Sequence, residues 1–85
     1  MVSYKIFIKP SAVKELETLP RKNIQRITSK IQSLKDNPRP HGCEKLSAQQ
    51  QYRIRQGNYR IIYSIDDAES SVHVVKIGHR RDVYK

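Results

Sequence analysis

The feature that most constrains the fold is the stretch of residues 52–63, in which apolar and polar residues alternate on both sides of Gly57-Asn58. Such alternation is typical of strands with one buried face, and a Gly-Asn pair between two of them indicates a hairpin turn. With that turn, the cross-strand pairs are Gln56 with Tyr59, Arg55 with Arg60, Ile54 with Ile61, Arg53 with Ile62 and Tyr52 with Tyr63. The sequence therefore predicts a β-hairpin with one apolar and one polar face.

The residues before the hairpin predict one strand and two helices. Residues 2–8 alternate like a half-buried strand. A helix then opens at Pro10-Ser11, with Ser11 as its N-cap and Glu15 close to capping-box distance, and Pro20 ends it. A second helix spans about residues 21–35, because apolar side chains recur there at steps of three and four. These side chains are Ile24, Ile27, Ile31 and Leu34.

The predicted architecture is an α+β fold with element order βααβββ, in which two N-terminal helices pack on a small antiparallel sheet. Residues 52–56, 59–65 and 72–78 form the last three strands, and turn-forming residues separate them. Residues 43–51 receive no assignment, and the buried face of the last strand stays undecided. The chain of 85 residues is expected to be a single domain, 1–85, because it has material for only one core.

The charge balance selects a class of partner. The 17 Lys and Arg residues against 8 Asp and Glu give a net charge of +9, which favours a polyanion such as nucleic acid, an anionic membrane or an acidic protein. No stretch approaches the roughly 20 apolar residues of a membrane span, and no secretory signal is recognisable. We therefore expect a cytoplasmic protein without membrane contact, in which the single cysteine, Cys43, is a bystander.

The polar face of the hairpin carries candidate functional residues. Arg53, Arg55 and Arg60 gather on it, and Arg55 lies directly across from Arg60, where like charges disfavour folding. An open face of this kind suits an anion, since a guanidinium group binds phosphate with a pair of parallel hydrogen bonds. The alternative interpretation is an ordinary solvated face that Glu44 or Glu69 neutralises.

A second cluster follows the last strand, where residues 78–85 read Gly-His-Arg-Arg-Asp-Val-Tyr-Lys. It adds His79, Arg80 and Tyr84, and a tyrosine can stack on a base or transfer a proton. The sequence holds no carboxylate cluster for magnesium, no histidine motif for zinc and no glycine-rich phosphate loop. No metal and no cofactor are therefore expected, and a site that cuts RNA would use the substrate's own 2′-hydroxyl.

The two motifs together resemble the RelE/ParE toxin superfamily, on its RelE side. The resemblance rests on Tyr-Arg-Ile-Arg-Gln-Gly-Asn-Tyr-Arg-Ile-Ile-Tyr at 52–63 and Lys-Ile-Gly-His-Arg-Arg-Asp-Val-Tyr at 76–84, and the predicted βααβββ order agrees. It implies the toxin of a type II toxin–antitoxin system, which enters the ribosomal A site, cleaves mRNA and inhibits translation. The implied partners are the ribosome, mRNA and a cognate acidic antitoxin in a hetero-oligomer.

The resemblance also implies a role for each site residue. Five residues match the family's motifs. They are Arg53 and Arg55 of the second strand, Arg60 of the third strand, Arg80 after the final Gly-x and the C-terminal Tyr84. Well-known members carry lysines where this chain has Arg53 and Arg55, and an arginine cannot serve as a general base. Proton abstraction then falls to Tyr84, to His79 or to a ribosomal RNA group. Tyr84 would need a lowered pKa, which a cluster of arginines favours.

Three other functions stay open at this point. A ParE-like toxin that inhibits DNA gyrase shares the fold, but it needs no clustered arginines with a terminal tyrosine. A non-catalytic basic RNA-binding module explains the charge of +9, but it gives no reason for Tyr84. A degenerate toxin retained only as the partner of an antitoxin is compatible with every motif. Of the other histidines, His41 and His73 are expected to be structural or solvated.

Overall fold

The structure is a computed structural model that describes residues 3–46 and 51–79. The elements in chain order are β1 (Lys5–Ile8), α1 (Pro10–Glu17), α2 (Arg21–Ser33), β2 (Glu44–Lys45), β3 (Gln51–Gln56), β4 (Tyr59–Asp66) and β5 (Ser71–His79). The strands form one sheet in the order β1-β5-β4-β3-β2. Two helices on a sheet confirm the predicted α+β class. No helix in the described part of the chain is long and apolar enough to cross a membrane.

The sheet is mixed, whereas the sequence predicted an antiparallel one. β1 runs parallel to β5, from the pair Lys5 and Ser71 to the pair Ile8 and Val74. The other neighbouring strands are antiparallel. The segment that received no assignment contains β2, which pairs Glu44 with Arg53 at the sheet edge. Strand periodicity reports which face is buried and carries no information on which strand lies alongside, so these pairings were missed.

The start of α1 differs from the capping box that the sequence predicted. Lys9 is the N-cap and makes no side-chain cap hydrogen bond, while Pro10 takes the first helical turn, where a missing N–H costs nothing. Glu15 instead reaches β5: its Oε1 accepts a hydrogen bond from the Ile77 backbone N–H at 3.2 Å, and its Oε2 lies 3.4 Å from Lys76 Nζ. Because β1 ends at Ile8, this carboxylate satisfies an edge donor of β5 that β1 does not reach.

The hairpin β3–β4 has the predicted register at each of its cross-strand pairs from Gln56 and Tyr59 to Tyr52 and Tyr63. Gly57 has a φ of 61°, a conformation that suits glycine at the first central position of a hairpin turn. The apolar face of the hairpin packs under α2. The buried side chains there are Tyr52, Ile54, Ile61 and Tyr63 from the hairpin and Ile27, Ile31 and Leu34 from the helical side.

A β-bulge settles which face of β5 is buried. Ile62 pairs with Lys76 and Tyr63 pairs with Val74, so Val75 is an extra residue on the β5 side. The extra residue shifts the alternation by one position. As a result Val74 and Ile77, three residues apart, both face the core and are buried.

The loop after α2 is held against the sheet by buried and exposed polar contacts. The buried Tyr63 hydroxyl donates a hydrogen bond to the Pro38 carbonyl oxygen at 2.7 Å, and burial raises the pKa of Tyr63. Arg39 donates to both carboxylate oxygens of Asp67, at 3.3 and 2.8 Å, and Tyr4 donates to the same carboxylate at 2.7 Å. The hydrogen bond from Arg39, followed by that from Tyr4, lowers the pKa of Asp67.

We predict that Asp67→Asn weakens the fold at neutral pH and makes its stability less sensitive to acid. Because the pKa of Asp67 is lower in the folded chain than in the unfolded chain, its carboxylate stabilises the fold above the ordinary value of about 3.9. That stabilisation is lost as the pH falls through the lowered pKa. Chemical denaturation between pH 7 and pH 3 measures the effect, with Asp36→Asn as a control of equal charge. A constant difference between the two variants across this range would contradict the prediction.

Candidate functional site

Three arginines lie together on the face of the hairpin that is turned away from the helices. Arg55 pairs directly with Arg60, and Arg53 lies two residues before Arg55 on the same face of β3. We call these three residues the arginine face. Their juxtaposition agrees with the geometry that the sequence predicted.

The members of the arginine face differ in exposure, although the sequence predicted an open face. The Arg55 side chain is 58% exposed, the Arg53 side chain is 14% exposed, and Arg60 is 9% exposed. Ile62, on the same face of β4, is also buried. The face is therefore open at Arg55, while Arg60 carries its charge in a desolvated position, where charge interactions are stronger.

Among the described residues, the carboxylate of Glu44 binds to the arginine face. Glu44 on β2 pairs with Arg53 in the sheet register, and its Oε2 forms an ion pair with Arg53 Nη2. Its other oxygen, Oε1, lies 3.6 Å from Arg55 Nη2. Of the two glutamates considered as neutralising partners, Glu44 is therefore the one in place. Sequence reasoning missed this geometry because β2 was not recognised.

His79 lies on the opposite side of the sheet from the arginine face. It pairs with Tyr59 across β4, whereas Gly78 pairs with Arg60. The His79 ring meets the Tyr59 ring edge-on at 5.8 Å between centroids, and Asn23 Nδ2 donates to the Tyr59 hydroxyl at 3.0 Å. Tyr59 and His79 line a cleft of about 290 Å³ under α2. The structure does not bring His79 to the arginines.

The other two predicted site residues, Arg80 and Tyr84, lie outside the described residues. Their positions relative to the arginine face stay predictions.

An aromatic pair that the sequence did not single out lies on the same face of the sheet as the arginines. Phe7 of β1 stacks on His73 of β5, with 5.1 Å between ring centroids and 16° between the planes. His73 pairs with Ser64 of β4, which shares a face with Arg60 because the two are four residues apart on one strand. Phe7 is 49% exposed. Exposed rings of this kind can stack on nucleobases.

The described residues offer no constellation for a metal ion. Among residues 3–46 and 51–79, no group of three or more His, Cys, Asp or Glu side chains is placed to hold one. Cys43 is a free, half-buried thiol. The described surface does carry arginines that can bind an anion and aromatic rings that can stack.

Comparison with known proteins identifies the family. Residues 6–84, nearly the whole chain, match the family model described as the ParE toxin of the type II toxin–antitoxin system parDE. The chain belongs to this toxin family. The predicted resemblance to the RelE/ParE superfamily is thereby confirmed, and with it the assignment of the chain as the toxin of a type II toxin–antitoxin system.

Individual relatives carry RelE-type names. The putative toxin RelE1 of Methanocaldococcus jannaschii is 27% identical over 88 residues, covering 99% of this chain and 98% of that protein. The toxin RelG of Mycobacterium tuberculosis is 38% identical over 34 residues, 40% of this chain and 39% of RelG. A chain of the archaeal RelE–RelB complex from Pyrococcus horikoshii OT3 superposes with a TM-score of 0.85 at 27% identity, covering 96% of this chain and 100% of that chain.

We predict that the Arg55–Arg60 pair lowers the stability of this toxin's fold. Arg55→Gln removes the cation placed across from Arg60 together with the 3.6 Å contact between Arg55 and Glu44. An exposed contact of this kind contributes little, so the free energy of unfolding should still rise by a few tenths of a kcal/mol at low salt. The gain should shrink at high salt, which screens an exposed charge. Thermal denaturation at two salt concentrations measures it, with Lys35→Gln as the control. The interpretation would be wrong if Arg55→Gln and Lys35→Gln changed the free energy of unfolding by the same amount at both salt concentrations.

Proposed function

We propose that this toxin is a ribosome-dependent mRNA endonuclease that inhibits translation. The observation that supports the proposal most is the cross-strand pair of Arg55 and Arg60 with Arg53 beside it. This register brings two cationic residues to directly opposite positions on one face of the sheet, an arrangement that by itself disfavours strand pairing. A phosphodiester held between them would relieve the repulsion and accept paired hydrogen bonds from each guanidinium.

The proposed reaction needs no nucleophile from the protein. The 2′-hydroxyl of the RNA attacks the adjacent phosphorus, the 2′-O–P bond forms, and the P–O5′ bond breaks. The products are a 2′,3′-cyclic phosphate and a 5′-hydroxyl, after a base has taken the 2′ proton and an acid has protonated the 5′ oxygen. Arg55 and Arg60 stabilise the negative charge that builds on the phosphate, and the desolvated Arg60 does so most strongly.

The roles at the C-terminal end of the chain are part of the same proposal. Tyr84 is the proposed base and Arg80 a further phosphate ligand. His79 was the alternative base, but in the sheet register it lies on the face opposite the arginines. Phe7 and His73, stacked on the same face as the arginines, are suited to hold an unpaired base of the message.

We further propose that an acidic antitoxin is the protein partner. The chain carries a net charge of +9, which steers and captures an oppositely charged segment. A chain similar to this one over nearly its whole length comes from a complex of RelE with RelB. The antitoxin would thus cover cationic surface that the ribosome and mRNA use otherwise.

A second candidate function is gyrase inhibition of the ParE type. It is favoured by the matching family model, which is that of the ParE toxin. The two functions separate cleanly in purified assays, because one cuts mRNA on translating ribosomes and the other blocks DNA supercoiling. Inhibited supercoiling without mRNA cleavage would favour the ParE-type function.

Toeprinting of mRNA on translating ribosomes tests the nuclease directly. We expect cleavage products that end in a 2′,3′-cyclic phosphate or a 3′-phosphate, and Arg60→Ala should slow cleavage by about a hundredfold, roughly 3 kcal/mol. Lys14→Ala, which removes an exposed cationic side chain of α1, is the control and should cleave at the parent rate. Because Arg60 is buried, circular dichroism must first show that its variant is folded. Products ending in a 3′-hydroxyl would contradict attack by the 2′-hydroxyl.

Two further substitutions identify the base. If the Tyr84 hydroxyl accepts the proton, Tyr84→Phe loses most of the cleavage rate and still binds the ribosome, because the ring is retained. His79→Ala should then cleave at nearly the parent rate, since His79 lies away from the arginines. Single-turnover cleavage and ribosome co-sedimentation measure the two properties. A fast Tyr84→Phe with an inactive His79→Ala would transfer the role to histidine.

A further inference from the structure

A groove at the edge of β3 adjoins the arginine face. β2 pairs with β3 only at Arg53 and Tyr52, so among the described residues it leaves the edge of β3 from Ile54 to Gln56 uncovered. A groove of about 320 Å³ lies there, and its walls include Lys30 of α2, His41 of the loop between α2 and β2, Glu44 and Arg55. A lysine, a histidine and an arginine from three separate parts of the chain therefore line one opening.

The helix that forms one wall of the groove adds to its positive potential. α2 carries four cationic residues, Arg21, Lys22, Arg26 and Lys30, and no acidic residue. Arg26 and Lys30, four residues apart, lie on one side of the helix and together line the neighbouring groove. Like charges at this spacing destabilise an isolated helix. The cationic surface therefore continues from Arg55 along α2 with no carboxylate of the helix to neutralise it.

Glu44, the carboxylate among the described residues that line the groove, already makes contacts that a phosphate would make. Its two oxygens face two guanidinium groups, Arg53 through Oε2 and Arg55 through Oε1. A phosphate offers the same arrangement of anionic oxygens to a pair of arginines. The Glu44 and Arg55 side chains are 51% and 58% exposed, so their contact is solvent-screened and a competing anion displaces it at little cost. The Arg53 side chain is 14% exposed, and an entering phosphate has to replace the Glu44 oxygen there with one of its own.

We infer that this groove binds one backbone phosphate of an RNA strand, and that Glu44 occupies the phosphate position in the free protein. The inference rests on the proposed function, because it names the substrate group that the surface beside the arginine face takes. The entering phosphate replaces the Glu44 carboxylate between Arg53 and Arg55, and Lys30 supplies a further charge from α2. Glu44 then acts as an internal competitor that sets how tightly RNA binds.

The test measures the affinity for a short single-stranded RNA with 2′-O-methyl groups, which cannot be cleaved, by fluorescence anisotropy without ribosomes. Glu44→Gln keeps the shape and removes the charge, and Glu69→Gln, in the exposed turn before β5, changes the net charge equally. We expect Glu44→Gln to bind RNA about fivefold more tightly than Glu69→Gln, since a screened ion pair no longer competes. Equal affinities for the two variants would overturn the inference, as would weaker binding by Glu44→Gln, which would make Glu44 a residue that orients the arginines.

A second pair of variants tests the opposite wall of the groove. Lys30→Gln should bind the RNA more weakly than Lys35→Gln. In a plot of the logarithm of the association constant against the logarithm of the salt concentration, the slope for Lys30→Gln should be shallower by about 0.7, the value for one lost phosphate contact on a single strand. Identical salt slopes for the two lysine variants would remove Lys30 from the site.

Two controls separate this inference from its alternatives. In one series an oligoglutamate peptide replaces the RNA. If Glu44→Gln raised the affinity for the peptide and not for the RNA, the ligand of the groove would be an acidic protein. Should Glu44→Gln fail to fold, Glu44→Asp keeps the charge but shortens the reach to both arginines, and its RNA affinity should lie between the parent and the expected gain. Binding is measured without ribosomes, so the two hypotheses can fail separately. If the protein showed this binding pattern but cleaved no mRNA, the nuclease proposal would be wrong and the phosphate site would stand.

Discussion

The register of the β3–β4 hairpin is the constraint on which the site depends. The same backbone pairing that opposes Arg55 and Arg60 also places Ile54 against Ile61 and Tyr52 against Tyr63 on the other face. Those apolar side chains are buried under α2, and their burial stabilises the pairing by more than the opposition of the two arginines costs. A shift of one residue would exchange the two faces, so the arginines cannot separate without exposing the core.

Local sequence chemistry was sufficient to predict the hairpin but insufficient to predict the neighbours of its strands. Gly57 and Asn58 fix a two-residue turn, and the alternation around them then determines each cross-strand pair. No local pattern specifies that β1 lies parallel to β5, or that two residues at Glu44 form an edge strand. The ion pairs of Glu44 with Arg53 and Arg55 follow from that edge strand, so before it was known Glu44 and Glu69 were equal candidates for neutralising the arginines.

The bulge at Val75 had the largest effect on the candidate site. Strict alternation along β5 from the buried Val74 would turn Ile77 and His79 to the arginine side of the sheet. The extra residue instead turns Ile77 into the core and His79 towards Tyr59, and it places Gly78 opposite Arg60. A bulge has no reliable signature in a run such as Val72-His73-Val74-Val75, since each residue in it suits a strand. The face on which a histidine lies was therefore beyond what periodicity could decide.

The position of β5 in the sheet has a consequence for the order in which the protein can be built. β5 lies between β1 and β4, although β1 precedes the helices and β5 is the last of the described strands. A growing polypeptide that has not yet reached β5 holds an N-terminal strand and a hairpin without the strand that pairs with both. Such long-range closure is slow and comes late in folding. A ribosome that is still translating the residues ahead of β5 therefore carries a chain whose sheet is unfinished, and the arginine face lacks the strand that supports it.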